Sequence, residues 1–403
     1  MEWKEVTLGE IANIQTGPFG SQLHKEDYTT VGTPIVTVEH LGNKSFTRQN
    51  LPKVSAEDKS RLSKYCSQEG DIIFSRVGSV DRCSYVDKET CGWLFSGRCL
   101  RVRPNKNISP EYLYYFLNRE ATKIFIRNIA VGATMPSINT KLLSEVPISL
   151  PPLSDQRRIA SLLSSLDRKI ELNNKINARL EEMAQAIFKN WFVDFEPFKD
   201  GKFKESELGR IPEGWKVGTL TDIASYMNGL AMQKFPPKEN EKSLPVLKIK
   251  ELGQGFCGAD SDRCSCNIKE ECIIHNGDII FSWSGTLLVD IWCGGVCGLN
   301  QHLFKVTSKD YPKWFYYYWT KHHLREFIHI AKDKAVTMGH IKRGHLEEAL
   351  VAIPDNENME KANALFEPVL NKIISLRIES SRLAALRDTL LPRLMSGEIE
   401  VPE

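Results

Sequence analysis

Few stretches of this chain combine residue types at a spacing that could support catalysis or cofactor binding. Residues 253–258 match the pattern GxGxxG and follow an apolar run at 246–252. A dinucleotide-binding loop of this kind opens a helix, whose N-terminus holds the pyrophosphate. The residues that follow, 259–264, are instead rich in turn formers. We therefore interpret the stretch as a plain glycine loop and expect no cofactor in this chain.

Four of the cysteines form a second candidate site, at Cys257, Cys264, Cys266 and Cys272. Tetrahedral zinc sites usually draw on two closely spaced Cys pairs. The intervals here are irregular, with six, one and five intervening residues. Free reduced thiols are favoured over a metal site or a disulfide framework, although the spacing leaves zinc open.

Signatures of DNA-modifying catalysis are missing or weak. The chain has no Asn-Pro-Pro-aromatic tetrapeptide of the kind that adenine methyltransferases carry, so it should not methylate DNA by itself. Asp167, Arg168 and Lys169 could mimic the carboxylate–lysine pair of a nuclease. Because they lie within a long helical pattern, a solvated helix face is the favoured interpretation.

Bulk composition is that of a globular protein with two or three domains, since the chain has 403 residues, of which 41% are hydrophobic and 26% charged. The net charge of +2 does not by itself indicate a nucleic-acid binder. Any phosphate contacts must come from localised basic groups or from partner subunits. No stretch looks like a membrane span or a signal peptide, so we expect no membrane association and a cytoplasmic location.

The longest predicted element is an amphipathic helix at 153–198, with Ser154 and Asp155 as its N-cap. Its apolar positions recur every 3.5 residues, which is the pattern of a coiled-coil seam. At 1.5 Å per residue it would reach roughly 50–60 Å. The seam residues are Ile159, Leu163, Leu166, Ile170, Asn173, Asn177, Leu180, Ala184, Ile187 and Trp191.

The chain before this helix is repeated after it, in two copies of about 200 residues. Residues 3–12 return as 215–224, 70–75 as 277–282, 100–102 as 304–306, 112–115 as 314–317, 134–135 as 337–338 and 146–148 as 349–351. Each copy predicts short strands, an aromatic-rich helix (110–118 and 312–320), a short helix and a last strand. We expect the aromatic helices to pack in the core rather than to stack on bases.

A second long helix is predicted from near Glu357 to residues 394–397, with Gly397 as its C-cap. Its seam comprises Val369, Ile373, Leu376, Leu383 and Leu390, and Ile374 and Leu386 are expected to share it near Ser380 and Arg387. One long helix lies at the end of each copy. We expect the two helices to pair antiparallel, with Asn173, Asn177 and Ser380 fixing the register. The predicted fold class is α+β, with two homologous mixed α/β domains separated by two antiparallel coiled-coil helices in pseudo-two-fold arrangement. The segments are 1–152, 153–198, 199–355 and 356–403.

The helix boundaries resemble those of the specificity (S) subunit of type I DNA restriction–modification enzymes. The resemblance rests on Pro151-Pro152-Leu153-Ser154-Asp155-Gln156-Arg157-Arg158-Ile159-Ala160, on Asn190-Trp191-Phe192-Val193-Asp194-Phe195-Glu196-Pro197, and on Glu207-Leu208-Gly209-Arg210-Ile211-Pro212-Glu213-Gly214-Trp215. It covers essentially the whole chain. The start of the second helix departs from the pattern, because Pro354-Asp355-Asn356-Glu357 stands there, and this puts the fine docking of that end in doubt.

The resemblance implies a non-catalytic, DNA-binding subunit of a prokaryotic, cytoplasmic restriction system. Each copy would be a target-recognition domain that reads one half of an asymmetric split sequence in double-stranded DNA. The long helices would set the gap and dock two modification subunits. Those subunits would carry S-adenosylmethionine and flip an adenine out of the duplex, and a restriction subunit that translocates DNA would join for cleavage.

Base edges are read by Arg, Lys, Asn, Gln, Ser and Thr side chains, so we predict contacts in loops beside the strands of each copy. In the first copy the candidates are Thr16, Gly17, Phe19, Gly20, Ser21, Arg76, Ser79, Arg82, Arg98, Thr134, Asn139 and Lys141. In the second they are Asn228, Gln233, Lys234, Trp283, Ser284, Thr286, Asn300, Gln301 and Lys342. For any one residue, a solvated surface group or a phosphate contact is at least as good an interpretation.

One alternative function stays open. A two-headed scaffold that organises a protein complex through its coiled coil, without DNA, would fit the near-neutral charge. The boundary motifs favour the specificity subunit.

Overall fold

The computed structural model describes residues 3–19, 22–42, 44–333 and 339–401. The strands of the first copy are β1 Lys4–Thr7, β2 Ala12–Thr16, β3 Tyr28–Thr29, β4 Thr33–Val36, β5 Lys53–Val54, β6 Ile72–Ser75, β7 Cys83–Tyr85, β8 Leu94–Phe95, β9 Cys99–Pro104 and β10 Pro147–Leu150. Its helices are α1 Leu8–Ile11, α2 Ala56–Arg61, α3 Pro110–Leu117, α4 Glu120–Ile129 and α5 Thr140–Ser144, followed by the long helix α6 Leu153–Phe188.

After α6 the strands are β11 Phe203–Ser206, β12 Gly209–Pro212, β13 Lys216–Thr219, β14 Ser225–Asn228, β15 Ser243–Leu247, β16 Arg263–Ser265, β17 Ile273–Ile274, β18 Ile279–Ser282, β19 Leu288–Ile291, β20 Cys297–Leu299, β21 Leu303–Thr307 and β22 Leu350–Ile353. The helices are α7 Leu220–Ile223, α8 Ile249–Gln254, α9 Lys313–Asp333, α10 Arg343–Glu348 and the long helix α11 Asn356–Met395. None of the helices in the described ranges is long and apolar enough to cross a membrane.

The sheets confirm the tandem duplication. In the first copy β1 pairs with β10, and a four-stranded sheet has the order β2-β9-β6-β7. In the second copy β13 pairs with β22, and the equivalent sheet has the order β14-β21-β18-β19. A further sheet in each copy contains one parallel pair, β4 with β8 and β15 with β20. The same turn chemistry opens both copies, because the N–H of Thr7 donates to Glu10 and that of Thr219 donates to Asp222.

The aromatic helices pack in the core, as predicted. All six residues from Trp314 to Trp319 are buried, and so are those from Tyr112 to Leu117. The second helix is longer than predicted, since α9 continues to Asp333 whereas α3 ends at Leu117. In the first copy the side chain of Asn118 donates to the carbonyl oxygen of Tyr114 at 2.9 Å. Such side-chain bonds to the backbone compete with helix continuation.

The first long helix ends earlier than the predicted residue 198, whereas the second ends where predicted, at Met395 with Gly397 after it. α6 gives way to a π-helical turn at Lys189–Val193, and Phe195 adopts a left-handed φ of 53° before Pro197, which has no N–H to continue a helix. α11 stops at Met395, and Gly397 supplies the left-handed φ of 74° that ends it. The predicted N-cap is wrong, because α6 begins at Leu153 and places Asp155 inside its first turn. An acidic group there favours the helix dipole.

The positions predicted for the coiled-coil seam are mostly buried or half-buried. Ile159, Leu163, Asn173, Asn177, Ala184, Ile373, Leu376 and Ser380 are buried, and Leu166, Ile170, Leu180, Ile187, Trp191, Val369, Leu383 and Leu390 are half-buried. The placement of Leu386 in the seam is wrong, since it is 46% exposed. Arg387 lies inward instead, because it has an acidic partner there (Asp167, below).

Contacts between Cα atoms divide the chain into two compact units, Met1–Arg168 with Ala384–Glu403, and Lys169–Leu383. Each unit contains the sheets of one copy together with part of both long helices. In the second unit the helices run antiparallel, since Asn173 hydrogen-bonds Glu379 at 2.9 Å while the ring of Phe188 lies 6.4 Å from that of Phe366. Each unit has its own apolar core, to which both helices contribute.

Candidate nucleic-acid interface

Four loops of the first copy meet at one end of its main sheet. We call residues 16–19, 76–79, 96–98 and 131–137 loop cluster 1. The N–H of Gly17 donates to the carbonyl oxygen of Cys99 at 3.2 Å, and a Cβ on Gly17 would lie 2.2 Å from the carbonyl oxygen of Ser96. Only glycine fits there, so the first and third loops are held together by their backbones.

The second loop of cluster 1 is hydrogen-bonded to the third and fourth loops. The N–H of Arg76 donates to the carbonyl oxygen of Arg98 at 2.8 Å, and the carbonyl oxygen of Arg76 accepts from the N–H of Ile138 at 2.9 Å. The N–H of Gly78 donates to the carbonyl oxygen of Pro136 at 2.8 Å. Main-chain hydrogen bonds therefore fix all four loops on the rigid sheet, which is how scaffolds usually present binding residues.

The surface of cluster 1 combines cations with exposed apolar side chains. The guanidinium of Arg76 stacks over the ring of Phe19, with its carbon 4.6 Å from the ring centroid. Phe19 is 50% exposed and Met135 is 62% exposed, while Arg98 is also exposed. Large apolar groups left at the surface beside cations are typical of an interaction surface.

The second copy repeats this construction. We call residues 228–233, 283–286, 300–302 and 339–342 loop cluster 2. A Cβ on Gly229 would lie 2.3 Å from the carbonyl oxygen of Leu299, so Gly229 takes the place of Gly17. The N–H of Ile341 donates to the carbonyl oxygen of Trp283 at 3.1 Å, and that of Gly285 donates to Gly339 at 2.9 Å. These bonds match those of Ile138 and Gly78, so Trp283 occupies the position of Arg76.

Cluster 2 carries rings and amides where cluster 1 carries arginines. The ring of Trp283 lies 6.1 Å from that of His302, and the hydroxyl of Ser284 lies 3.2 Å from His302 Nδ1. The N–H of His302 donates to the side-chain oxygen of Asn300 at 3.2 Å. An open cleft borders this cluster. Its lining combines the apolar residues Met232, Val246 and Ile249 with the polar and charged residues Gln233, Lys248, Lys250, Asp262, Arg263, Asn300, Gln301 and His302.

Two comparisons with known proteins agree with this architecture. The family model described as the type I restriction modification DNA specificity domain matches residues 1–182 and again 212–380. The chain belongs to this family. It is 33% identical to the type I restriction enzyme MjaIX specificity subunit of Methanocaldococcus jannaschii, over 100% of this chain and 94% of that protein. It is 23% identical to the type I restriction enzyme HindI specificity subunit of Haemophilus influenzae, over 99% of this chain and 100% of that protein.

A solved structure shows the same fold. It is the crystal structure of the type I restriction–modification system S subunit from M. genitalium, with a TM-score of 0.59 and 16% identity, covering 100% of this chain and 96% of that chain. The chain is thus a DNA specificity subunit, and catalysis belongs to other subunits. The scaffold alternative is not favoured by these matches.

Most of the predicted contact residues of this specificity subunit fall in the two loop clusters. Cluster 1 contains Thr16, Gly17, Phe19, Arg76, Ser79, Arg98 and Thr134, and cluster 2 contains Asn228, Gln233, Trp283, Ser284, Thr286, Asn300, Gln301 and Lys342. Gly20 and Ser21 lie outside the described residues, and so does the predicted repeat of Thr134-Met135 at Thr337-Met338. Which of these residues contact DNA stays a prediction.

Four candidates lie beside the clusters. Arg82 is exposed and lines a depression with Gly42 and Lys123. Asn139 caps helix α5, because its side-chain oxygen accepts from the N–H of Leu142 at 2.8 Å, and Lys141 is exposed in the first turn of that helix. Lys234 is exposed in the turn that follows cluster 2. Asn139 therefore has a local structural role as an N-cap, a position at which Asn is a preferred residue.

Sequence reasoning missed His302 and the basic residues of the cleft. A signal for His302 existed, since it precedes strand β21 as Arg98 precedes strand β9. Lys248 and Lys250 offered no such signal, because the chain brings them to Asn300 only through the parallel pairing of β15 with β20. Both lysines are already paired with acids, Lys248 with Asp262 and Lys250 with Asp260 at 2.5 Å.

The fold gives the positions of the glycine-rich stretch and of two of the four candidate cysteines. Helix α8 ends at Gln254, so the glycines of 253–258 close a helix instead of opening one. Cys264 and Cys272 are buried with Met232 and Val246, and burial raises the pKa of both thiols. A thiol that stays protonated is a poor metal ligand. Across the described residues no group of three or more His, Cys, Asp or Glu side chains could hold a metal ion.

Asp167 is not on a solvated helix face, contrary to the prediction. Its carboxylate accepts from Arg387 Nη1 at 2.7 Å and from the hydroxyl of Tyr115 at 2.5 Å. Burial and the neighbouring Asp167 raise the pKa of Tyr115. The carboxylate therefore joins α3, α6 and α11 within the first unit, and its role there is structural.

Proposed function

We propose that this specificity subunit reads an asymmetric DNA sequence in two parts, with loop cluster 1 contacting one part and loop cluster 2 the other. The observation that carries the proposal is the pair of equivalent loop clusters on equivalent sheets with unlike side chains. Arg76 and Arg98 of the first copy correspond in position to Trp283 and His302 of the second. Equivalent scaffolds with different reading groups fit two different half-sites.

The residue types of both clusters suit recognition of base edges in the major groove. Arginine forms paired hydrogen bonds with guanine, and the amides of Asn and Gln do so with adenine. Cluster 1 presents guanidinium groups, whereas the cleft beside cluster 2 presents Gln233 and Gln301. Sequence reading thus requires no cofactor in this chain.

We further propose that the subunit works in the cytoplasm of a prokaryotic cell with two modification subunits, which supply S-adenosylmethionine, and with restriction subunits. The net charge of +2 supports this, because a protein with so little excess charge needs partners to share the phosphate contacts. Leu172 and Met183 of α6 are 51% and 44% exposed and lie three turns apart on one helix face. That face supports docking of a partner along the long helix.

The test is mapping of methylated bases on DNA from cells that produce this chain with the modification subunit. The control culture produces the modification subunit alone. We expect N6-methyladenine within a two-part motif of constant gap, and only when the chain is present. Absence of any modification that depends on the chain would falsify the proposal.

A further inference from the structure

Arg76 is the best-anchored cation on the surface of cluster 1. Its Nη1 donates to the carbonyl oxygen of Gly97 at 3.1 Å, and its guanidinium carbon lies over the ring of Phe19, 4.6 Å from the centroid. Its main chain is tied on both sides, to Arg98 and to Ile138. A side chain held in this way loses little conformational entropy when it forms further hydrogen bonds.

The absence of a carboxylate partner separates Arg76 and Arg98 of cluster 1 from several other arginines of the described first copy. Arg48 pairs with Glu89, Arg103 with Asp71, and Arg127 with Asp81 and Glu120. Within the described ranges Arg76 forms no ion pair with a carboxylate. Its side chain is half-buried, and the hydrogen bond to Gly97 uses one of the five N–H donors of a guanidinium, so it has hydrogen-bonding capacity to spare for a ligand.

The ligand chemistry follows from geometry. Guanine presents two adjacent acceptors, N7 and O6, in the major groove, and a planar guanidinium matches both at once. A phosphate contact would gain nothing from the stacking on Phe19, since a mobile lysine or arginine serves as well. The equivalent position of the second copy is Trp283, which has a single donor and cannot form such a fork.

We infer that Arg76 is a specificity-determining residue that reads a guanine in one half-site, with Phe19 as the positioning residue that holds its guanidinium. The inference rests on the proposed function and deepens it. The other half-site is read without an arginine at this position. One G·C pair in one half of the target thus depends on Arg76.

The experiment is methylated-base mapping with R76A, R76K and R76Q, each produced as the full chain with the modification subunit. The matched control is R48A, because Arg48 is 64% exposed in the same copy and lies outside cluster 1. For R76A we expect the preference for guanine at one position of one half to fall roughly 5- to 150-fold, with the other half unchanged. R76K should relax the same position less, R76Q should shift it towards adenine, and R48A should leave the motif intact.

The inference is overturned if the motif of R76A is unchanged, if both halves change, or if the affected position is not a G·C pair. If R76A abolishes all modification, the motifs of R76K and R76Q test the inference instead. The inference is then overturned if both variants keep the full preference for guanine. If none of the three variants modifies DNA, the affinities of the purified wild-type and variant complexes are compared on duplexes substituted at each position of the motif. An equal loss of affinity on every duplex would overturn the inference.

The phenylalanine gives an independent check. F19A should relax the same base pair as R76A and by a smaller factor, whereas a merely structural role would lower modification without changing the motif. The outcome is distinct from failure of the proposed function, in which the wild-type chain itself directs no modification.

Discussion

At the scale of single residues, a charged side chain occupies a position of the coiled-coil seam because an oppositely charged residue pairs with it there. Arg387 lies at a seam position where the 3.5-residue pattern predicts an apolar side chain. Its Nη1 donates a hydrogen bond to Asp167 Oδ1 at 2.7 Å. Burial alone would lower the pKa of the Arg387 guanidinium, but the hydrogen bond from it to Asp167 raises that pKa above its ordinary value. The pair is retained because Tyr115 satisfies the second oxygen of the carboxylate.

We expect R387A to lower the free energy of unfolding by roughly 1–3 kcal/mol, because it leaves the half-buried carboxylate of Asp167 with one partner fewer. Urea or thermal unfolding measures the change. R382A is the matched control, since Arg382 is exposed on the same helix, and should shift stability by no more than about 0.5 kcal/mol. Equal effects of the two substitutions would contradict the interpretation.

Glu241 gives a prediction for pH. Hydrogen bonds from Ser265, from the N–H of Lys238 and from Cys266 lower the pKa of its carboxyl from 4.5 to about 2. A lowered pKa means that the unfolded chain binds the proton more readily, so this contribution to stability is complete above pH 4.5 and is lost as pH falls towards 2. The melting temperature of E241Q should therefore fall less steeply between pH 5 and pH 3 than that of the wild type. E239Q, at an exposed neighbour, should follow the wild-type curve, and a parallel curve for E241Q would refute the assignment.

At the scale of elements, the long helices depend on a few fully buried seam residues. Ile373 is 0% exposed and Leu376 is 4% exposed, whereas Leu365 of the same helix is 45% exposed. The polar positions Asn173 and Ser380 are buried within this seam. Polar groups there cost stability but penalise shifted registers, so they fit a helix pair that must keep one alignment.

Truncation of the seam is expected to cost far more than truncation of the outer face. I373A should lower the free energy of unfolding by roughly 2–5 kcal/mol, through lost burial and the cavity left behind. L365A, which removes the same kind of side chain from the exposed face, should change it by about 0.5 kcal/mol or less. Chemical denaturation of both variants checks this, and similar midpoints would show that Ile373 is not in the packed seam.

At the scale of the whole molecule, the duplication provides two recognition surfaces on separate cores. A single domain could not vary two such surfaces independently. The sheets, capping turns and aromatic helices are kept in both copies, because they form each core. The side chains at the loop tips differ, as Arg76 and Trp283 do. Each copy can therefore change what it reads without disturbing the core of the other.

Independence of the copies predicts the effect of Q301A. Loss of the amide of Gln301, which lines the cleft beside cluster 2, should relax one position of a single half-site by roughly 1–3 kcal/mol of discrimination. That half should be the one that R76A leaves intact. Methylated-base mapping of both variants decides, with Q254A as control, because Gln254 is exposed at the end of helix α8 in the same copy. Changes of Q301A and R76A in the same half would contradict separate reading by the two copies.

Much of the fold could be predicted because its signals are local or repeated. Repetition in the sequence predicts the duplication. Hydrophobic periodicity predicts the long helices, the buried aromatic runs and most of the seam. The end of the first long helix was predicted less well, since Phe195 stops it through a backbone conformation that hydrophobic spacing does not report. The inward position of Arg387 escaped for a similar reason, because it depends on Asp167, 220 residues away.

By itself the sequence determined the family, the two copies and the loops that could read DNA, since these depend on residue order and repetition. Only the tertiary structure decided which loop residues stand together. Stacking of Arg76 on Phe19, capping by Asn139 and the lysines beside Asn300 arise from strand pairing and main-chain contacts between distant segments. Those contacts are set by the packing of the whole sheet, and no local pattern encodes them.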